Sequence, residues 1–231
     1  MTTTKIFVGI PAVSGLIKVQ FLSSILALYK SHLAEILNVT APAYGSQIAT
    51  IRNNLSHAFL QTECTHILFV DSDMEFGPGS IERMVAANRD FVGCVCVQKF
   101  LDTKKFYNLA KTEPYDAAMA RSSTSNIMTF GPEIDVVDGL IEIKAIGFGL
   151  CLIKRSVFDA ISESNLVRKP PVGPIGFFDP IATNSTLIGE DFSLCERWRN
   201  CGGKVWGLVG EKIGHVGDFS YSADISSLRT V

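Results

Sequence analysis

The chain has 231 residues, of which 47% are hydrophobic, so it is long and apolar enough to bury a substantial core. Its formal net charge of −2 at pH 7 gives no bulk attraction to nucleic acid. These values exclude a disordered chain and a strongly basic nucleic-acid-binding protein. With no sharp linker along the chain, we predict a single domain over residues 1–231.

Apolar segments and cysteines predict where the chain resides. The first apolar run, residues 6–10, is too short for a signal peptide. The longest uncharged stretch, residues 36–51, is too short and too polar to span a bilayer. The six cysteines contain no C-x-x-C pair, which favours reduced thiols, although an even count is also compatible with disulfides. We therefore predict a soluble, cytoplasmic protein without a membrane span.

The first hundred residues alternate between strand patterns and helix patterns. The predicted strands are residues 6–10, 38–42, 66–70 and 91–97. The predicted helices are residues 16–33, 80–88 and a segment that begins after Ser46 as N-cap and carries Ile48, Ile51, Leu55 and Phe59 on one face. Because strands alternate with helices, we expect βαβ units and a mainly parallel sheet.

The strand at residues 66–70 ends in two carboxylates, Asp71 and Asp73, with Ser72 between them. Residues two apart in extended backbone point to the same side, so both carboxylates can converge on one cation. The carboxyl end of a central strand is also the edge of an open α/β sheet where ligands bind. The alternative interpretation is an Asp-rich turn that closes the strand.

After residue 99 the pattern becomes less regular. Residues 100–131 show no clean period, which predicts a long loop that is a lid, a binding loop or disordered. Asp138 and Gly139 predict a tight hairpin between residues 134–137 and 140–143. Further strands are expected at residues 147–153 and 204–209, and helices at residues 156–162 and 192–200. Residues 165–187 are again irregular, and residues 218–231 form a polar tail.

Three further features carry chemical alternatives. Glu190 and Asp191 open a helix, where acids are also favoured by the helix dipole. His215 is either a ligand or an ordinary surface or core histidine. Phe177 and Phe178 form either an apolar platform for a sugar ring or a part of the buried core.

Five segments in this order resemble the GT-A glycosyltransferases, especially inverting enzymes similar to family 2. These segments are FVGIP (residues 7–11), FVDSD (69–73, the family's DxD motif), GFGLCLI (147–153), GEDFSLCER (189–197, the ED motif) and His215. The resemblance spans residues 5 to about 217. The compact size is also similar to the GT-A domains of large algal DNA viruses, which glycosylate capsid protein and would act in the host cytoplasm.

The resemblance implies an α/β GT-A fold with two parts. Residues 1–99 would form a Rossmann-like nucleotide-binding half with a mostly parallel central sheet, and residues 100–217 a smaller mixed-sheet acceptor half. The implied activity moves a sugar from a nucleotide-diphosphate donor, a UDP or GDP sugar, to a hydroxyl of a glycan or glycoprotein. Mn²⁺ or Mg²⁺ would neutralise the diphosphate leaving group, and a histidine ligand favours Mn²⁺.

The resemblance also assigns residue roles. Asp191 would be the general base of an inverting transfer, with Glu190 holding a sugar hydroxyl. The expected metal ligands are Asp71, Asp73 and His215. The expected nucleotide-sugar contacts are Pro11, Ala12, Arg52, Asp71, Ser72 and Asp73. The expected acceptor contacts are Gly149, Phe177 and Phe178.

Arg52 has alternatives of its own, since it can reach the diphosphate, pair with Asp71, or form an ordinary surface ion pair. Two rival functions also remain. A nucleotidyltransferase similar to sugar-nucleotide pyrophosphorylases would carry a Gly-rich, Arg-containing loop after the first strand, whereas residues 11–15 contain one glycine and no arginine. A catalytically inactive sugar-binding module is separated from an enzyme only by a turnover assay.

Overall fold

The computed structural model describes residues 4–217 and 220–223 as a mixed α/β fold. Its helices are α1 (Val19–Lys30), α2 (Ile48–Leu60), α3 (Pro78–Ala87), α4 (Thr103–Leu109), α5 (Tyr115–Ser122), α6 (Arg155–Glu163) and α7 (Glu190–Asn200), with a 3-10 helix at His32–Ile36. Its strands are β1 (Ile6–Val13), β2 (Leu37–Gly45), β3 (His66–Val70), β4 (Met74–Glu75), β5 (Phe91–Cys94), β6 (Val97–Leu101), β7 (Ser123–Ser125), β8 (Ile127–Met128), β9 (Leu140–Ile143), β10 (Ala145–Ile146), β11 (Leu150–Lys154), β12 (Ile181–Ala182), β13 (Leu187–Ile188), β14 (Val205–Leu208), β15 (Ile213–Val216) and β16 (Ser220–Ala223).

A seven-stranded sheet in the order β2-β1-β3-β11-β5-β14-β9 forms the centre of the molecule. Strands β1, β2, β3, β5 and β14 run in one direction, and only β11 and β9 oppose them. The smaller sheets pair β4 with β15 and β16, β6 with β7, β8 with β10, and β12 with β13. The predicted α/β class with a mostly parallel central sheet is confirmed.

Strand β3 lies between β1 and β11 and is buried on both faces. Ile67 and Phe69 pack into the hydrophobic cluster on one face of the sheet, whereas Leu68 and Val70 pack into the cluster on the other. This alternation follows from the two-residue period of extended backbone. The prediction of a central strand that leads into Asp71 is therefore confirmed.

The predicted boundary at residue 99, between the nucleotide-binding half and the acceptor half, does not divide the central sheet. Strands β9, β11 and β14 all come from the later part of the chain, yet they complete the central sheet begun by β1, β2, β3 and β5. Strand β11 in particular inserts between β3 and β5. The expected acceptor half thus shares its main sheet with the nucleotide-binding half.

The prediction of a structureless loop over residues 100–131 is wrong, because α4 and α5 lie within it. The carboxylate of Asp102 caps α4 by accepting a hydrogen bond from Lys105 N at 2.9 Å. Helix α5 buries Ala118, Met119 and Ala120. The two helices have seven and eight residues, too few turns for an apolar period to stand out in the sequence.

The predicted hairpin at Asp138 and Gly139 is half correct. Both residues have positive φ, +53° and +74°, as a tight turn with the primed geometry requires. Residues 140–143 form β9, but before the turn only Val137 is bridged, to Leu140. Strand β9 instead pairs with β14, which follows more than sixty residues later.

The N-cap of α2 is one residue later than predicted, at Gln47 rather than Ser46.

Other predictions concern the cysteines, the membrane and the tail. All six cysteines are free thiols, five of them buried, in agreement with the prediction. Within the described ranges, no helix combines the length and the apolar character needed to cross a membrane. Residues 220–223 of the predicted loose tail form β16 on β15, whereas residues 218–219 and 224–231 lie outside the described part.

Candidate active site

The ends of β1 and β3 open into a cavity of about 480 Å³. Its walls come from the end of β1, the segment before α1, the first half of α2, the turn after β3 and the start of α7. The lining residues are Pro11, Val13, Leu16, Ile17, Lys18, Ile48, Arg52, Asp71, Ser72, Asp73 and Glu190. The cavity therefore brings together most of the residues predicted to bind a nucleotide sugar. Ala12 is buried beside Pro11 and is not in the cavity wall.

Backbone hydrogen bonds fix the turn that carries Asp71, Ser72 and Asp73. Asp71 N donates to Gly149 O at 3.0 Å, and Lys18 N donates to Ser72 O at 3.0 Å. Val216 N donates to Asp73 O at 2.8 Å. Three separate chain segments therefore hold this short turn, so its carboxylates are preorganised.

Arg52 lies at the base of the cavity and is only 3% exposed. Its Nη2 donates to Asp71 Oδ1 at 2.8 Å and its Nη1 donates to Glu190 Oε1 at 2.6 Å. Its guanidinium also lies 5.3 Å from the centre of the Phe148 ring. Burial by itself lowers the pKa of Arg52, but the carboxylates of Asp71 and Glu190 raise it above the ordinary value. The surface ion pair considered from the sequence is wrong, and the pairing with Asp71 is confirmed.

Asp73 has a different set of partners. Its Oδ2 pairs with the ammonium of Lys99, and its Oδ1 lies 3.5 Å from His215 Nε2. Although burial raises the pKa of Asp73, the interactions with His215 and Lys99 outweigh it and lower the pKa to about 2. Asp73 is therefore ionised at neutral pH. Its buried Oδ1 makes no hydrogen bond of ordinary geometry with any described residue.

His215 lies on strand β15 rather than in the loop that the sequence predicts. Its Nδ1 is 3.0 Å from Val97 O, and because a carbonyl can only accept, Nδ1 is the nitrogen that donates to it. In a neutral ring with the proton on Nδ1, the lone pair of Nε2 faces Asp73 Oδ1. Two acceptors that face each other in this way suit a bound cation.

The expected set of three metal ligands is not assembled. Asp71 directs its carboxylate to Arg52, and the described residues contain no cluster of three or more histidine, cysteine or acidic side chains able to hold one metal ion. Asp73 and His215 do fit a cation, since the unbonded Asp73 Oδ1 faces the imidazole. Of the three predicted ligands, Asp73 and His215 face each other, whereas Asp71 is the partner of Arg52.

Glu190 and Asp191 form the first turn of α7. Glu190 points to Arg52, whereas Asp191 Oδ1 accepts a hydrogen bond from Phe192 N at 2.8 Å. Burial, and then the neighbouring charge of Glu190, raise the pKa of Asp191 above its ordinary value. A raised pKa makes a carboxylate a stronger base, which suits proton abstraction near neutral pH.

Two of the three expected acceptor residues are buried, and the third, Gly149, is partly exposed. Phe177 and Phe178 are 1% and 0% exposed, so the prediction of a sugar platform is wrong and the core alternative is correct. The Phe178 ring packs edge-to-face on Phe69 and Phe148 at 5.4 and 5.1 Å. Gly149 packs against Met74 and accepts the Asp71 hydrogen bond, so it supports the site from behind.

Sequence reasoning missed two features of the site. One is the bridge from Arg52 to Glu190, which joins residues 138 positions apart. The other is the pairing of Lys99 with Asp73, since the sequence analysis gave Lys99 no role. Neither has a local signal, because both depend on how distant elements meet.

Fold and site together define a mixed α/β protein with a GT-A-like fold and an acidic cavity at the strand ends. The crystal structure of A197 from STIV, a virus protein, is similar to it, with a TM-score of 0.55 and 18% sequence identity over 96% of this chain and 91% of that chain. At this identity the similarity shows the fold. No protein-family model matches the sequence, and no curated protein is significantly similar to it.

Proposed function

We propose that the chain is a metal-dependent glycosyltransferase that moves a sugar from a nucleotide-diphosphate donor, a UDP or GDP sugar, to a hydroxyl of a glycan or glycoprotein. One observation carries the proposal. In a GT-A-like fold, a cavity of about 480 Å³ at the ends of β1 and β3 is lined by Asp71, Ser72, Asp73, Arg52 and Glu190. This volume suits a small-molecule site, and the charged lining suits a polar donor.

The side chains support an inverting transfer. Asp191, with its raised pKa, would take the proton of the acceptor hydroxyl as that oxygen attacks the anomeric carbon. Glu190 lines the cavity beside it and can hold a sugar hydroxyl. Arg52 keeps Glu190 and Asp71 in place, since it bonds both. The arrangement therefore combines a base, a sugar contact and a fixed scaffold.

Asp73 and His215 are the residues that would hold Mn²⁺ or Mg²⁺. When bound, such a cation neutralises the charge that develops on the diphosphate leaving group. The imidazole favours Mn²⁺ over Mg²⁺. The short turn that fixes Asp73 would keep its carboxylate oriented without further ordering.

Replacement of the base tests the reaction. Asp191→Asn keeps the size of the side chain and its acceptor for Phe192 N but removes the basicity. We expect donor binding and folding to persist and sugar transfer to fall by at least about a hundredfold, the scale of a lost general base. Steady-state transfer and calorimetric donor binding measure the two effects.

The exposed Asp159 on α6 gives the matched control, because Asp159→Asn removes a carboxylate away from the cavity. The pH profile adds a second readout. Since the base acts only when ionised, transfer rises with pH through the pKa of Asp191, at higher pH than for an ordinary carboxyl group. A transfer rate of Asp191→Asn close to that of the wild-type protein would show that Asp191 only caps the helix.

Metal dependence is tested by binding rather than turnover. We expect the wild-type protein to bind UDP or GDP in the presence of Mn²⁺ or Mg²⁺ and to bind it less tightly in EDTA. The Asp73→Ala variant should bind the nucleotide only weakly, both with metal and in EDTA. Asp116→Ala, an exposed acid on α5, is the control that keeps the metal effect. Identical calorimetric affinity of the wild-type protein with metal and with EDTA would contradict the metal site.

Two further turnover assays separate the rival functions. A nucleotidyltransferase would form a nucleotide sugar from a sugar 1-phosphate and a nucleoside triphosphate, and an inactive module would bind a nucleotide sugar without turnover. Because the compact size of the chain is similar to that of the GT-A domains of large algal DNA viruses, a capsid glycoprotein is one class of acceptor to test.

A further inference from the structure

The carboxylate of Asp73 already has a positively charged partner, the ammonium of Lys99. We propose that Lys99 competes with the divalent cation for Asp73, so that the cation binds tightly only when a nucleotide diphosphate draws Lys99 away. This inference rests on the proposed function and adds a residue and an order of binding to it.

The ammonium of Lys99 and the proposed cation would share one carboxylate, that of Asp73. Lys99 pairs with Asp73 Oδ2, while Oδ1 faces His215 Nε2 at 3.5 Å, where the cation would be held. A divalent cation and an ammonium on the two oxygens of one carboxylate repel each other strongly at such short separation. Tight cation binding therefore requires Lys99 to leave.

The backbone around Lys99 allows that movement. Strand β6 pairs with β7 only at Val97 with Ser125 and at Leu101 with Ser123, so three residues of β6 stand opposite one residue of β7. Lys99 is in the middle of this bulge and is 37% exposed. It can swing away without loss of a paired residue, while Val97 still accepts the hydrogen bond from His215.

The charges of the cavity explain why a diphosphate would attract Lys99. Arg52 is already held by two carboxylates, those of Asp71 and Glu190. Among the described residues, Lys99 pairs only with Asp73. Its departure from that carboxylate becomes favourable once a cation binds Asp73 and phosphate oxygens offer the ammonium a new partner. Cation and nucleotide therefore bind with positive coupling, and each raises the affinity for the other by the same factor.

The binding of Mn²⁺ alone provides the test. Free Mn²⁺ is measured by electron paramagnetic resonance during titration of the wild-type protein, Lys99→Met and Lys104→Met, with and without UDP or GDP. Lys99→Met keeps the apolar stem and removes the charge, and Lys104→Met removes an exposed lysine from the neighbouring helix α4. Lys99→Gln is a second variant with the same expectation.

Without nucleotide, we expect Lys99→Met to bind Mn²⁺ at least about fivefold more tightly than the wild-type protein, the lower end of usual coupling between sites. The nucleotide should then improve Mn²⁺ affinity more in the wild-type protein and in Lys104→Met than in Lys99→Met. Equal Mn²⁺ affinities of the wild-type protein and Lys99→Met would overturn this inference alone. Lack of Mn²⁺ binding by every protein, with and without nucleotide, would overturn the metal site as well.

Discussion

Arg52 lies on the buried face of α2, where an arginine is rarely found unless its charge is paired. It bonds Asp71 and Glu190, and the two carboxylates lie at the ends of different elements, β3 and α7. Loss of the guanidinium would leave two carboxylates close together and without their counter-charge. The same residue therefore supports both the fold and the acidic cavity.

This pairing predicts a large effect on stability. Arg52→Met should lower the free energy of unfolding by about 3 kcal/mol, the lower end for a broken buried ion pair, because both carboxylates remain partly exposed to water. Urea unfolding measures the change. Arg168→Met breaks a pair in which the arginine is 57% exposed and should cost less than about 1 kcal/mol. Equal losses in the two variants would show that Arg52 contributes no more than a surface ion pair.

At the scale of elements, the irregular segment that follows α6 is held in place by its aromatic residues. Phe178 is buried among Phe69 and Phe148, and its backbone N–H donates to Asn53 Oδ1 at 2.8 Å. Asn53 belongs to α2, the helix that carries Arg52. A segment without regular backbone structure is thus anchored to the core and to α2 by packing and a side-chain hydrogen bond.

The burial of Phe178 predicts a structural effect rather than a binding effect. Phe178→Ala should lower the free energy of unfolding by about 3–5 kcal/mol, as for other buried phenylalanines, and should leave the donor affinity of the folded protein unchanged. Phe100→Ala, which changes a ring that is 55% exposed, should alter stability by no more than about 0.5 kcal/mol. Denaturant unfolding and calorimetry measure both variants. If Phe178→Ala instead lost affinity for the sugar nucleotide without losing stability, Phe178 would be a ligand contact.

At the scale of the whole molecule, the central sheet interleaves early and late parts of the chain. Both neighbours of β5, the strands β11 and β14, follow residue 149. Strand β3 likewise has β11 on one side. The strands from the first hundred residues are therefore completed by the part of the chain that carries Asp191.

This topology predicts that residues 1–99 do not fold by themselves. Without β11 and β14, strand β5 has no partner and the buried faces of β3 and β5 are exposed. We expect the fragment to show poorly dispersed amide resonances and no cooperative unfolding, whereas the full chain unfolds in one transition seen by both circular dichroism and tryptophan fluorescence. Well-dispersed resonances from the fragment would contradict this interdependence.

Local patterns in the sequence determined much of the fold. The apolar run before Asp71, the positive-φ turn at Asp138 and Gly139, and the acids that open α7 each depend on residues only a few positions apart. Backbone dihedral preferences and the periods of strand and helix act over that range, so the sequence alone determined the α/β class, the central strand and the candidate carboxylates.

Only the tertiary structure decided how distant residues meet. The insertion of β11 between β3 and β5, the bridge from Arg52 to Glu190 and the pairing of Lys99 with Asp73 join segments far apart in the chain. The same holds for the burial of Phe177 and Phe178, which read equally well as an exposed platform. These contacts depend on which faces pack together, and many arrangements of the same local elements satisfy the same short-range preferences.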